Sequence, residues 1–392
     1  MRREPVDLPA APHALSTMPL ALYIHIPWCV KKCPYCDFNS HEAHGEIPQQ
    51  SYVDVLLADL RSALPEVLGR EIVSVFFGGG TPSLFSPVAI EQILLAADAL
   101  LPFVDDIEIT LEANPGTVDA VNFAGFRAAG VTRLSLGIQS LNDGHLRALG
   151  RIHDAGQAKR AIDIARRHFE NFNLDLMYGL PGQTVNQALD DLAAALDTMP
   201  PHLSVYHLTM EPNTLFHKYP PALPTDDDAS AMQAAIEETL AGLGYCHYET
   251  SAFALPGREA RHNLNYWQFG DYLGIGAGAH SKISSHDAIV RQMRYKQPRA
   301  YIEHASTGAP VQLKNEIAAH DLAFEFMMNA LRLNQGFAPD LFEQRTGLTL
   351  TAIQAELDEA VQRGLLVVAP ERIAPTLPGQ RFLNDLLQIF LP

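Results

Sequence analysis

Between residues 20 and 244 the chain alternates six times between a short apolar, β-branched run and a longer stretch with helical apolar spacing. The runs are 20–27, 72–77, 106–114, 133–139, 172–180 and 202–210; the helical stretches are 52–68, 89–101, 119–130, 155–169, 186–199 and 229–244. Repeated strand–helix units demand a parallel sheet, because parallel neighbours need a crossover and a helix usually supplies it. The runs are continuously apolar, as strands buried on both faces must be. A doubly wound sheet and a barrel both satisfy this pattern. The polar residues decide between them. Gly78 to Thr81, Glu112, Gln139, Asp175 and Thr209 fall at the C-terminal ends of their strands, the rim on which a barrel carries its site. The expected fold class is therefore α/β, a partial (β/α)6 barrel open on one side.

The pattern changes near residue 250. Residues 251–300 read as irregular and aromatic, 320–333 as an amphipathic helix, and the remainder as a small, mainly helical module over about 318–392 with a winged-helix-like order of elements. Residues 1–18 are rich in Pro and Ala and read as a loose tail. The winged-helix likeness does not imply DNA binding. With 45 acidic against 28 basic residues and a net charge of −17, the chain has no basic footprint for nucleic acid. Early acidic residues and prolines break up any signal-peptide core, and no run of 18 uncharged apolar residues offers a membrane span. A cytoplasmic location is expected.

Three of the four cysteines lie within eight residues, in Cys29-Val-Lys-Lys-Cys33-Pro-Tyr35-Cys36. Such crowding in a short C-x3-C-x2-C run is not a disulfide framework and points to a metal in a reducing compartment. Zinc normally takes four ligands, so this set needs His25 or His41 to complete it. An iron–sulfur cubane is held by three thiolates with one iron left open to a small chelating molecule. Cys246 stands apart and reads as a small buried apolar residue.

C-x3-C-x-aromatic-C on the loop after the first strand resembles the signature of the radical S-adenosylmethionine (SAM) superfamily. The longer match Tyr-Ile-His-Ile-Pro-Trp-Cys resembles the branch that holds the oxygen-independent coproporphyrinogen III oxidases and the related heme chaperones. The resemblance runs from about residue 20 to near the C-terminus. It implies a radical SAM core over 19–250 followed by the branch's C-terminal region over 251–392. It also implies a [4Fe–4S] cluster on Cys29, Cys33 and Cys36, with SAM as cofactor.

For SAM the resemblance implies Tyr23, Tyr35, Gly79, Gly80, Thr81, Glu112, Gln139, Arg151, Asp175 and Thr209. Their chemistry agrees. A glycine-rich turn exposes backbone groups, Glu112 suits a cationic amine, Arg151 a carboxylate, and Asp175 ribose hydroxyls. The turn lacks the lysine of a phosphate-binding loop. Gly274-Ile-Gly276-Ala-Gly278-Ala279 fits a dinucleotide fingerprint, yet no helix pattern follows it. It reads instead as close-packed backbone near the adenine site or at the barrel's open edge.

Two features separate the relatives. The oxidases carry a further cysteine two residues after the third, where this chain has Phe38; that puts their decarboxylation in doubt here. The run His262-Asn-Leu-Asn-Tyr266-Trp267 resembles the heme-binding motif of the chaperones. A neutral imidazole ligates heme iron, and aromatic faces pack on a porphyrin. Read bare, the same run is a histidine beside two aromatics that pack the barrel edge. His247 and His280 are other candidate ligands. The resemblance implies heme as ligand, heme-acceptor proteins of the respiratory chain as partners, and transient contact with the membrane. It leaves a homodimer open. The alternative is a radical SAM oxidase of porphyrin metabolism.

Overall fold

The computed structural model describes residues 18–117 and 120–391. The expected tail at 1–18 therefore falls, all but Met18, outside the described residues.

Six parallel strands follow one another across the sheet in sequence order: β1 (Leu20–Ile26), β2 (Ile72–Gly79), β3 (Phe103–Ala113), β4 (Arg133–Gln139), β5 (Asn171–Tyr178) and β6 (His202–His207). Helices α1 (Gln49–Val67), α2 (Pro87–Leu100), α3 (Ala120–Ala128), α4 (Ala155–His168), α5 (Val185–Leu196) and α6 (Asp226–Gly242) cross between or follow them. Local chemistry fixes several starts. Ser86 caps α2 ahead of Pro87, and capping boxes at Asp154–Gln157 and Thr184–Gln187 open α4 and α5. One apolar core runs between strands and helices, with Leu22, Ile24, Phe77, Leu111, Leu136 and Leu174 buried. Burying such side chains contributes roughly 1.5–3 kcal/mol each, which outweighs the weak propensities of the individual strands.

The sheet does not stop at six strands. Antiparallel β7 (Cys246–Glu249) and β8 (Ala252–Ala254) extend it beyond β6. On the other side β9 (Asp271–Ile275) pairs parallel with β1, followed by antiparallel β10 (His280–Ser284), β11 (Ile289–Arg294) and β12 (Val311–Glu316). This corrects the irregular reading of 251–300. The strands were hidden because their inward positions are polar: Asp271, Lys282, Gln292 and Arg294 are all buried. They replace the apolar run by which a strand is usually recognised. Asp271 receives Lys282 Nζ and Arg70 Nη1, each at 2.8 Å. Burial pushes its carboxyl up, but these two cations outweigh burial and hold it below the usual carboxylate range.

Between these edges lie α7 (Arg261–Trp267), ahead of β9, and α8 (Pro298–Ser306), between β11 and β12. A second apolar core gathers α9 (Ala319–Ala330), α10 (Pro339–Thr346), α11 (Gln354–Gln362) and the hairpin β13 (Leu366–Ala369) and β14 (Arg372–Pro375). Helices followed by a two-stranded wing match the expected winged-helix-like order.

Candidate functional site

The cluster loop leaves β1 and returns on itself. Trp28 and Cys29 pair with His41 and Glu42 in a two-residue parallel bridge that forms its neck. Within the loop Cys36 N donates to Cys33 O, and Lys32 Nζ donates to the carbonyls of Phe38 and Ser40. Pro34 packs against Gly150, where φ is 68° and a Cβ would lie 2.8 Å from the Pro34 ring. Phe216 N holds the Pro34 carbonyl.

The glycine turn after β2 locks the neck from below. Gly80 N donates to Ile26 O, and Thr81 N donates to Trp28 O. A Cβ on Gly80 would lie 2.4 Å from Trp28 O; one on Gly79 would lie 2.6 Å from the His25 ring. These glycines thus admit the neck as well as exposing backbone to the cavity. The Gly79 N–H is itself taken, by Glu112 Oε2 at 3.3 Å.

Above the strand ends lies a cavity of about 510 Å³. Its walls carry Cys29, Cys33, Cys36, Tyr35, Gly79, Gly80, Thr81, Glu112, Gln139, Arg151, Asp175 and Thr209. Twelve of the thirteen expected cluster and SAM residues therefore meet in one space. Tyr23 is the exception. It lies behind the wall, stacked on Phe76, and shares a 3.0 Å hydrogen bond with His25 Nδ1.

The cavity's electrostatics are set by burial. Glu112 is pushed up to about 8, first by desolvation and then by Asp175. Asp175 is also raised by burial, although Asn173 and Ser135 donate to it at 2.7 and 3.2 Å. Burial raises the thiols of Cys29 and Cys36. Arg151 reaches Cys33 Sγ with Nη1 at 3.5 Å and the Gly137 carbonyl with Nη2 at 2.8 Å, while its buried Nε has no partner. Burial opposes this cation, but Tyr35 and Cys33 beside it hold its pKa above the ordinary value. Gln139 stands at φ 68°, a left-handed conformation uncommon for a side-chain-bearing residue.

This donor set fits a three-thiolate cubane. Three thiols share one wall, and Ser40, Thr81 and Arg151 bond to the sulfurs. A metal takes cysteines as thiolates, which offsets the burial that raises Cys29 and Cys36. His25 is not a fourth ligand, since its Nδ1 meets Tyr23 and its Nε2 meets Asn39 O at 3.0 Å.

The His262 run lies at the floor. His262 is 1% exposed, with Nδ1 bonded to Ser74 Oγ at 3.0 Å and Nε2 to Tyr266 Oη at 3.1 Å. Its ring stacks on Phe76 at 5.0 Å. Burial drops its pKa to about 3, so the imidazole is neutral. In this conformation both ring nitrogens are occupied. Tyr266 packs edge-on to Tyr272, and Trp267 lies under the Arg332 guanidinium at 4.3 Å. Asn263 and Phe76 line the cavity, so α7 forms part of its floor. His247 stacks on Phe253, and His280 is exposed at the start of β10. Phe76 carries no sequence signal of a site; only tertiary contact brings it to the cavity wall.

The Gly274–Ala279 run is the turn between β9 and β10, packed against β1 at the sheet's open side and away from the cavity wall. Of the two readings left for it, the barrel edge holds.

A parallel half-barrel with three thiols on the loop after its first strand and a polar cavity on its C-terminal rim defines a radical SAM protein. The radical SAM superfamily profile matches residues 23–195, and the HemN C-terminal domain profile matches 317–382. The "Heme chaperone HemW" of Escherichia coli (strain K12) is 47% identical over 375 residues, covering 95% of this chain and 98% of that protein. The mouse "Radical S-adenosyl methionine domain-containing protein 1, mitochondrial" is 36% identical over 411 residues, covering 100% and 92%. Coproporphyrinogen III oxidase (HemN) from Escherichia coli shares the fold, with a TM-score of 0.81 at 24% identity, covering 96% of this chain and 90% of that one. The chain belongs to the HemW family of the radical SAM superfamily.

Proposed function

We propose that this protein is a cytoplasmic heme chaperone that holds a [4Fe–4S] cluster and SAM in its barrel and passes heme to respiratory acceptor proteins. The observation that carries this reading is the 47% identity, over nearly the full length of both chains, to a protein named a heme chaperone. No helix among the described residues is long and apolar enough to cross a membrane, so any meeting with a membrane acceptor is a docking event. Two copies of the chain working as a homodimer remain part of the reading.

When bound, the cluster supplies single electrons and an open iron to which SAM chelates. The residues do the rest. Cys29, Cys33 and Cys36 hold three irons. Glu112 would receive the SAM amine, its carboxylate form being the one that pairs with that cation. Arg151 faces the carboxylate, Asp175 the ribose, and Tyr35, Gln139 and Thr209 the remaining walls. The barrel is framed as one unit over 19–250, with 251–392 as the region that carries cargo.

For heme, His262 is the ligand we favour, and its closed state sets the terms. A neutral imidazole is the form that ligates iron. Reaching iron requires α7 to turn out and release the bonds to Ser74 and Tyr266. This helix has seven residues and no cap from its own N-cap side chain, so its hold is tertiary, through Arg261 to Asp106, His262 N to Glu108 and Asn265 to the Asp271 carbonyl. Tyr266 and Trp267 then offer ring faces to the porphyrin.

The test is an anaerobic heme titration of cluster-reconstituted protein. His262→Ala should weaken the saturable Soret shift. Tyr266→Phe keeps the ring but deletes one closing bond worth about 1 kcal/mol, so it should tighten binding roughly five-fold. Equal weak binding in wild type and His262→Ala rejects His262 and returns weight to the second reading. That reading, a porphyrinogen oxidase, draws support from the apolar mouth formed by Met177, Tyr206 and Leu208. Phe38, 58% exposed on the cavity wall where the oxidases carry a cysteine, speaks against it. Anaerobic conversion of coproporphyrinogen would establish it.

A further inference from the structure

We infer that Asn39 and the Gly276–Gly278 turn form a clasp that positions the cluster loop, with Asn39 acting on the cluster through the loop's third cysteine. The inference rests on the cluster assignment.

Asn39 lies three residues beyond Cys36 and next to Ser40, whose hydroxyl is 3.6 Å from the Cys36 sulfur. Its Nδ2 donates to two carbonyls, Ala277 O and Lys296 O, both at 2.9 Å. Its own carbonyl meets His25 Nε2. Both amide protons and the backbone oxygen are thus engaged, by three separate segments of chain.

The turn is built to receive it. Gly276 (φ 104°) and Gly278 (φ 78°) adopt left-handed backbone. A Cβ on Gly276 would lie 2.4 Å from His25 O, and one on Gly278 would lie 2.3 Å from Asn39 Nδ2. Side chains at either position would drive β1 or Asn39 away. Behind the turn stands a buried polar scaffold. Ala277 N donates to Tyr52 Oη, which donates to His25 O. Gly276 N donates to Asp59 Oδ2 and to Tyr301 Oη, and Asp59 is paired with Arg294. All four scaffold side chains are essentially inaccessible to solvent. A loop of exposed residues such as Val30, Lys31, Asp37 and Phe38 is therefore tied through Asn39 to a turn backed by buried polar side chains. This is the arrangement by which outer residues fix the direction of metal ligands.

The proposal assigns Asn39 a positioning role that volume alone does not provide. Asn39→Ala removes both donors. Asn39→Asp keeps the shape but sets a carboxylate against two carbonyls. Gly278→Ala leaves Asn39 intact and removes its seat. In cluster-reconstituted protein under anaerobic conditions, each variant should lose iron to a chelator roughly ten-fold faster than wild type, read as decay of the iron–sulfur absorbance. In cluster-free protein, amide hydrogen exchange over residues 36–42 should accelerate while exchange in β2 to β5 stays as in wild type. Wild-type rates of cluster loss in Asn39→Ala overturn the clasp. Faster exchange through the whole barrel also overturns it, since the residue then serves the fold in general. Wild-type protein that takes up no iron and sulfide overturns the cluster assignment itself.

Discussion

Glu112 sits where a carboxylate is poorly solvated, and its titration has a consequence for stability. Its folded pKa of about 8 lies above the ordinary carboxyl value, so folding favours the protonated form. The stability this contributes is fully present below the ordinary carboxyl range and is lost as pH rises through about 8. Cluster-free wild type should therefore melt lower as pH climbs through that window, and Glu112→Gln should flatten the slope. A wild-type slope in Glu112→Gln would reject the assignment. Arg151 offers a second test. Its Nη1 lies 3.5 Å from Cys33 Sγ; on the proposed reading the three cysteines hold the cluster without it, so Arg151→Ala should weaken SAM binding by about ten-fold or more while iron content is kept. Equilibrium SAM binding beside an iron and sulfide assay separates the two. Glu112 was legible in the sequence because charge at a strand end is informative, and Arg151 because the family resemblance implied it; Asn39 was not, because a neutral amide in a loop is ordinary until its two acceptors are seen.

At the scale of elements, the strands added beside β1 are held by buried charge as well as by apolar packing. Asp59 on α1 and Arg294 at the end of β11 are 0% and 1% exposed and joined at 3.2 Å. Arg294→Met strands a buried carboxylate, and should cost about 3–5 kcal/mol in chemical denaturation. Replacing Asp59 by Leu in the same chain should recover only part of this. The Tyr301 hydroxyl would lose its acceptor, and the Gly276 N–H would keep only Tyr301 Oη. Full recovery in the double variant would show that the turn does not need its acceptor. The six barrel strands were readable from their apolar runs, whereas β9 to β11 were not, because buried positions in them carry Asp, Lys, Gln and Arg.

Across the whole molecule, two apolar cores are kept apart. Phe326 is fully buried in the C-terminal core, with ring contacts to Phe269, Phe337 and Phe342. Phe326→Ala should cost about 3–5 kcal/mol of stability there. Because the SAM cavity draws no wall residue from that core, SAM affinity at temperatures where the variant stays folded should be unchanged. A parallel fall in SAM affinity would mean that the two cores act as one.

By itself the sequence determined the order of strands and helices, the three clustered cysteines and most of the residues that meet in the cavity. Strand periodicity and the charge at strand ends are local properties, written residue by residue. Only the tertiary structure decided that Tyr23 stands behind the cavity wall, that both nitrogens of His262 are occupied, and that the glycine run at 274–279 seats the cluster loop. Each of these depends on hydrogen bonds between residues far apart in the chain, such as Ser74 with His262 and Asn39 with Ala277, and no local pattern specifies which distant partner will close such a bond.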